Sequence, residues 1–392
     1  MTRLFILLVV LIAPLTAGPL PEAKPESVGM STERLARIGE WLDGVIDRGE
    51  AAGFVTIVAR RGKVVHHAAR GTRGLSVKDP MPLNALFDMA SMTKAITVTA
   101  ALTLLEEGKF SLDDPISQYL PEFKEPKLSV GPHSAKPASR EITVRHLFTH
   151  TSGVKDERSR AETFAFPTLQ AYMEDFAKLP LRFEPGSRWL YGDSHDVLGY
   201  LVQKVSGKPL DRYIQERVLG PLEMHDTHYW PPASKDKQRA ILVVKGKDDL
   251  DSTSRRPVAA AKAATFIGGA SGIYSTAADY LRFCQMLLNG GELDGQRILG
   301  SRTVELIRQD HLRGAGGYAR AGQTFGLGFS VQTDSTNYLS KGTYAWGGSQ
   351  GTVFWIDPEQ ELTAVLMVQV VPRPRMRLRE KFSALIYSSI VD

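Results

Sequence analysis

Ser91-Met92-Thr93-Lys94-Ala95-Ile96-Thr97-Val98-Thr99-Ala100-Ala101-Leu102 is the stretch on which the reading of this chain turns. A Ser and a Lys three apart on a helix share a face, so the amine reaches the hydroxyl. The pattern alone is weak and occurs three times, as Ser91/Lys94, Ser152/Lys155 and Ser234/Lys237. Gly153 puts the second in a loop, and the third follows Pro231-Pro232 in a polar, solvated stretch. Only Ser91 opens a long apolar helix. There its hydroxyl sits in the positive field of a helix N-terminus, which stabilises an oxyanion. Lys94, set among Ile96, Val98 and Leu102, is disfavoured as an ammonium by desolvation; a neutral amine serves as general base toward Ser. The same pair also reads as a helix cap and a snorkelling Lys, and the motif by itself favours that plainer role.

Around this helix the elements fall into an order. Ser31 caps a helix whose Leu35, Ile38, Leu42, Val45 and Ile46 share one face. Two β-rich runs follow, Phe54 to Ala59 and Val64 to Ala69, joined at Arg60-Arg61-Gly62-Lys63. A second β pair, Gly351 to Ile356 and Leu362 to Val371, precedes a final helix over Arg375 to Ile390. Between the two ends helical patterns dominate: Ser91 to Glu107, Leu169 to Lys178, Ser194 to Val205, Leu210 to Val218 and Ala277 to Leu288. Loops over Lys127 to Arg140 and Pro231 to Pro257 separate them. The expectation is an α/β fold: an antiparallel sheet from both termini (18–85 with 306–392), flanked by terminal helices. A mostly helical region (86–305) is inserted, and a small-molecule cleft lies between the two parts.

Composition narrows the chemistry. The 392 residues carry 48 basic and 43 acidic side chains, a net charge of +5 spread along the chain, which offers no footprint for nucleic acid. The basic run Arg373, Arg375, Arg377, Arg379 and Lys381 reads as a solvated helix face. With 1 Cys there is no intrachain disulfide and no multi-Cys metal cluster, and Cys284 lies in an apolar pattern as a buried thiol. Residues 1–17 read as a signal peptide: Arg3, an apolar run Leu4 to Ile12, Pro14, and Ala17 before cleavage. The run is shorter than the about 20 residues of a membrane span, so a periplasmic or secreted mature chain without an anchor is expected.

Two rival sites fail. Gly347-Gly348-Ser349-Gln350-Gly351 fits G-x-S-x-G, but a strand pattern follows it, and no His comes after Ser349, the last being His311. His146 and His150 have the spacing of zincins, yet Leu147 stands where Glu is needed. No metal and no cofactor are expected, and both histidines read as loop or helix-end residues making hydrogen bonds.

Several further stretches occur in a fixed order: Ile142 to Gly153, Glu184 to Asp193, Pro221 to Thr227, Gly268 to Asp279, and Trp346-Gly347-Gly348 before the C-terminal β pair. With Ser91-Met92-Thr93-Lys94 they resemble the serine β-lactamase/penicillin-binding-protein superfamily. The likeness is to its class C β-lactamase-like branch, particularly the family VIII carboxylesterases, over about residues 25–390. The resemblance implies a DD-peptidase/β-lactamase fold with Ser91 as acylated nucleophile, Lys94 as its base partner, and Tyr191 relaying a proton to the leaving group. It sets Trp346-Gly347-Gly348 in the place of Lys-Thr-Gly, with the backbone N–H groups of Ser91 and Ser349 as oxyanion hole.

Two departures bear on substrate. Tyr191-Gly192-Asp193 stands where lactamases and peptidases show Tyr-x-Asn, which puts Asp193 against the substrate. Trp346 replaces a cation that would attract a β-lactam's carboxylate, and an aromatic wall suits acyl or aryl esters. Ester hydrolysis therefore leads. A β-lactamase or D-Ala-D-Ala peptidase, an acyltransferase using the same acyl-enzyme, and a non-catalytic wall-binding protein are the alternatives. The last would be marked by loss of Ser91, Lys94 or Tyr191, and all three are present.

Overall fold

The computed structural model describes residues 19–75, 77–158, 162–163, 165–245, 250–252, 267–318, 320–371 and 377–392. The leader expected over 1–17, with Arg373 and Arg375, lies outside them, as does part of the expected loop 231–257. Among the described residues the central sheet has eight strands: β1 (Gly53–Arg60), β2 (Lys63–Gly74), β3 (Val77–Pro80), β4 (Gln323–Phe325), β5 (Ser330–Gln332), β6 (Tyr344–Gly347), β7 (Val353–Asp357) and β8 (Leu362–Met367). Their order is β4-β5-β6-β7-β8-β1-β2-β3, every neighbour antiparallel. So β1, from the start of the chain, is sealed between β2 and the distant β8, with Ile57 opposite His67 on one side and Val365 on the other.

Alternation along the inner strands builds two cores. Val55, Ile57, Ala59, Phe354, Ile356, Val365 and Met367 face one layer; Phe54, Val58, Val353, Trp355, Leu362, Ala364 and Leu366 face the other. The second layer is closed by helices α1 (Thr32–Asp47) and α5 (Leu378–Tyr387). Ser31 caps α1 as expected, its side chain accepting the Arg34 N–H, and Leu35, Ile38, Leu42 and Val45 are its buried face. The first layer holds α2 (Thr93–Glu106) and α4 (Ala277–Leu288), with α3 (Ser194–Ser206) packed beside α2. Helix α2 is buried from Thr93 to Leu104 on every side, the mark of a helix at the centre of a core. Cys284 lies in that core, its thiol pushed well up by burial.

Several boundaries differ from the sequence reading. The expected loop after Lys127 contains a hairpin, Lys127–Gly131 with Ser134–Pro137, pinned to the body where Leu181 N–H donates to Lys127 O. Its Pro, Ser and Lys content hid the pairing because both strands are largely exposed and lack an apolar face. The helix from Leu210 is α-helical only to Ile214 and widens into a π turn over Gln215–Leu219 before Gly220-Pro221. The last helix begins at Leu378.

Phe382 of α5 meets Trp355 of β7 edge-on at 5.4 Å between ring centroids, and both are fully buried. Phe382→Ala is expected to destabilise the protein by about 3–5 kcal/mol, read as a lower midpoint in urea unfolding.

Candidate active site

The chain reaches Ser91 through a kink. Asp88 ends a two-residue strand, Phe87–Asp88, paired with Tyr274–Ser275; Ala90 then takes a left-handed φ of 45°, and a short turn over Ala90–Met92 leads into α2. Left-handed geometry is uncommon for a residue with a Cβ and concentrates at sites that display a neighbour. Among the described bonds Ser91 Oγ caps no backbone N–H of α2; it lies 3.3 Å from Lys94 Nζ. Lys94 does not snorkel. It is 4% exposed, and its Nζ donates to Ala270 O at 2.9 Å and stands 4.9 Å from the centroid of the Tyr191 ring.

The carbonyl that receives Lys94 is itself held. Thr97 Oγ1 donates to Gly269 O (2.8 Å), Ala270 N–H donates to Asp196 Oδ1 (2.9 Å), and Ile273 N–H donates to Thr93 Oγ1 (3.2 Å). The segment lies this close only because two glycines meet: a Cβ on Gly199 would fall 2.9 Å from Gly269 Cα. Thus the Gly268 to Asp279 stretch serves the amine through its backbone.

A cleft of about 1050 Å³ opens in front of this group. Ser91, Tyr191, Trp346, Gly347, Gly348 and Ser349 line it together, so residues far apart in the chain converge on one wall. Lys94 stands behind that wall. The half-buried Tyr191 ring sits among Trp189, Trp346 and His150, with centroids 6.1, 5.5 and 4.9 Å away. Gly348 touches the Ser91 turn directly: a Cβ there would fall 2.7 Å from Met89 O and 2.3 Å from Thr352 Oγ1. Arg320, Arg377 and Arg379 also border the cleft, Arg320 with its guanidinium carbon 5.6 Å from the Trp346 ring centroid.

Asp193 stands apart from the cleft lining. Its Oδ2 accepts the Asp156 N–H at 2.8 Å and lies 3.9 Å from Lys155 Nζ, and burial raises its pKa. The rival serines are also accounted for. Ser349 is followed by β7, and Ser152 is buried against Ser194 Oγ at 2.8 Å.

The two histidines part company. His146 fulfils the expectation, accepting the Thr143 N–H at Nδ1 (3.1 Å) where a short helix starts, and burial holds its pKa at about 4. His150 does not. It is buried with a left-handed φ of 56°, and neither ring nitrogen has a hydrogen bond among the described residues. It packs instead on the equally buried His195, centroids 4.3 Å apart, beneath Tyr191 and near Lys94. Burial first, then neighbouring positive groups, push both imidazoles well below the usual range. No group of three His, Cys, Asp or Glu suited to a metal occurs among the described residues, and none of their helices is long and apolar enough to cross a membrane.

Sequence reasoning missed Trp189 and the Ala270 carbonyl. The tryptophan lay within a quoted stretch, Glu184 to Asp193, whose aromatic density was its only signal; a carbonyl leaves none.

A serine beside a buried lysine at the start of a core helix, under an antiparallel sheet built from both ends of the chain, is the arrangement of the β-lactamase/penicillin-binding-protein fold. The family model described as Beta-lactamase matches residues 39–387, and the chain belongs to that family, within the serine β-lactamase/penicillin-binding-protein superfamily. Among curated relatives, Protein Rv1367c of Mycobacterium tuberculosis is 35% identical over 84% of this chain and 88% of its own. Esterase EstB of Burkholderia gladioli is 28% identical over 85% of this chain and 89% of its own. Among solved structures, EstCE1, described as a hydrolase with promiscuous acyltransferase activity, superposes with a TM-score of 0.76. It is 25% identical, with 91% of this chain and 99% of that one covered.

Because the fold favours neutral His150 and His195, the unfolded chain binds more protons below its ordinary His pKa of about 6.5. Their stabilisation is complete above that pH and declines as pH falls toward the depressed folded values. The thermal midpoint is expected to drop between about pH 7 and about pH 4.5, and to drop less steeply in His195→Leu, as measured by calorimetry.

Proposed function

We propose that this protein is a serine carboxylesterase acting on short-chain acyl or aryl esters. The observation that carries the reading is the 3.3 Å approach of Lys94 Nζ to Ser91 Oγ, with Tyr191 on the same cleft wall. Ser91 Oγ attacks the ester carbonyl carbon while its proton passes to the Lys94/Tyr191 pair. The tetrahedral oxyanion is received by the backbone N–H groups of Ser91 and Ser349, and it collapses to the acyl-enzyme as the alcohol leaves with the proton. Water then adds to the acyl group, gives its proton to the same pair, and releases the acid and free Ser91. An alcohol in place of water makes the second half an acyl transfer. Trp189, Tyr191 and Trp346 supply an apolar wall for the acyl or aryl group. EstB and EstCE1 support the reading by their descriptions. On the expected leader, the working site is the periplasm or outside the cell.

A second reading draws on the cleft arginines. Trp346 carries no charge, but Arg379 Nη2 lies 3.7 Å from where a Gly347 Cβ would stand, and Arg320 and Arg377 line the same cleft. Guanidinium groups there suit the carboxylate of a β-lactam or of a D-Ala-D-Ala peptide.

A panel of p-nitrophenyl esters of increasing chain length, a chromogenic cephalosporin and a D-Ala-D-Ala peptide separates these readings. Wild type should hydrolyse short esters fastest, and Ser91→Ala should lose about 10³-fold or more in kcat. Ser349→Ala should keep most activity, since its amide remains. Ester hydrolysis equal in wild type and Ser91→Ala would end the proposal, and cephalosporin turnover above ester turnover would put the second reading first.

A further inference from the structure

Asp88 and Gln350 are buried polar residues that border Ser91 and Ser349 without lining the cleft. Their contacts join the two segments. Asp88 divides its carboxylate: Oδ1 accepts the Ala90 N–H at 2.9 Å, and Oδ2 accepts from Gln350 Nε2 at 3.0 Å. One side chain therefore grips the residue just before Ser91 and the residue just after Ser349. The backbone repeats the tie, since Asp88 O accepts from Gln369 Nε2 at 3.0 Å and Gln350 O accepts the Val370 N–H at 2.9 Å.

We propose that Asp88 and Gln350 form a clasp that sets the spacing of the Ser91 and Ser349 amides, making both positioning residues for oxyanion stabilisation. The inference rests on the reading of Ser91 as nucleophile and of those amides as the oxyanion hole. Two amides serve one oxyanion only when both stand about 2.7–3.1 Å from it, so the distance between their segments must be held from outside. Packing brings the segments into contact at Gly348 but does not give direction. The carboxylate does: its two oxygens are a fixed length apart, and each is spent on one segment. The Asp88–Ala90 bond, spanning two residues, also braces the left-handed Ala90 that presents Ser91. Burying a carboxylate is unfavourable unless its oxygens are bonded, and here both are.

The test exchanges polarity across the clasp. Gln350→Glu sets carboxylate against carboxylate, and Asp88→Asn/Gln350→Glu restores one N–H···O bond with donor and acceptor reversed; Gln350→Ala removes the tie without adding a charge. Each is assayed for kcat and KM on a short-chain p-nitrophenyl ester and for thermal midpoint. Each is also assayed for affinity toward an alkylboronic acid, which forms a tetrahedral adduct on the serine. Gln350→Glu and Gln350→Ala should lose about tenfold to a hundredfold in kcat, with KM within about twofold and boronate affinity falling in step. The double exchange should recover most of both. A kcat unchanged in Gln350→Ala, a kcat loss without loss of boronate affinity, or a double exchange no better than Gln350→Glu would overturn the clasp. Ser91→Ala run alongside keeps the two ideas apart. If it is as active as wild type, the nucleophile reading falls; if it is inactive while the Gln350 variants match wild type, only the clasp falls.

Discussion

Everything at the candidate site depends on one primary amine held almost out of water. Lys94 has left bulk solvent with Ala270 O and Ser91 Oγ as its polar neighbours and an aromatic ring over it. A charge-bearing group in that position is unfavourable unless its surroundings are fixed. The surroundings are fixed by two helices: α2 carries the amine and, through Thr97 and Thr93, ties down the segment around Ala270, while α3 carries the Asp196 that holds the Ala270 N–H. The glycine meeting between α3 and that segment is part of the same arrangement. A side chain on either residue would lift the carbonyl from the amine.

The histidine pair beneath Tyr191 shows the same principle with the opposite means. Lys94 donates to two oxygens, whereas His150 and His195 are packed ring on ring, their nitrogens without a hydrogen bond among the described residues. Left-handed backbone at both Ala90 and His150 places local strain close to Ser91. The wide buried sheet and the two cores are where compensating stability is found.

Four of the eight strands, β1, β2, β7 and β8, were readable as β-rich runs toward the two ends of the chain, and β1, β7 and β8 stand out because burial on both faces leaves near-continuous apolar runs. The exposed hairpin after Lys127 was not, since polar residues on both sides of a strand erase the alternation. At the site, Ser91, Lys94 and Tyr191 were legible as side chains in ordered motifs, and the structure brings them together. Their supports were less so. Ala270 acts through a carbonyl, which any residue possesses, and Asp88 and Gln350 are joined by a contact across most of the chain that no spacing rule describes. Asp193 shows the reverse: its place in a motif pointed to the cleft, but an N–H of the neighbouring loop claims its carboxylate.

The sealing of β1 between β2 and β8 also governs how the molecule is made. Val55 must wait for Met367, about 300 residues later, before its second edge is covered. During synthesis the nascent chain therefore carries an apolar strand with one open side, the kind of edge that recruits other chains. The sheet closes only once Leu362–Met367 is available to pair with β1, and Arg60 pairs with the still later Asp392 at 2.6 Å. Closure of this sheet thus waits on a strand made long after β1, and the open edge of β1 needs shielding until then.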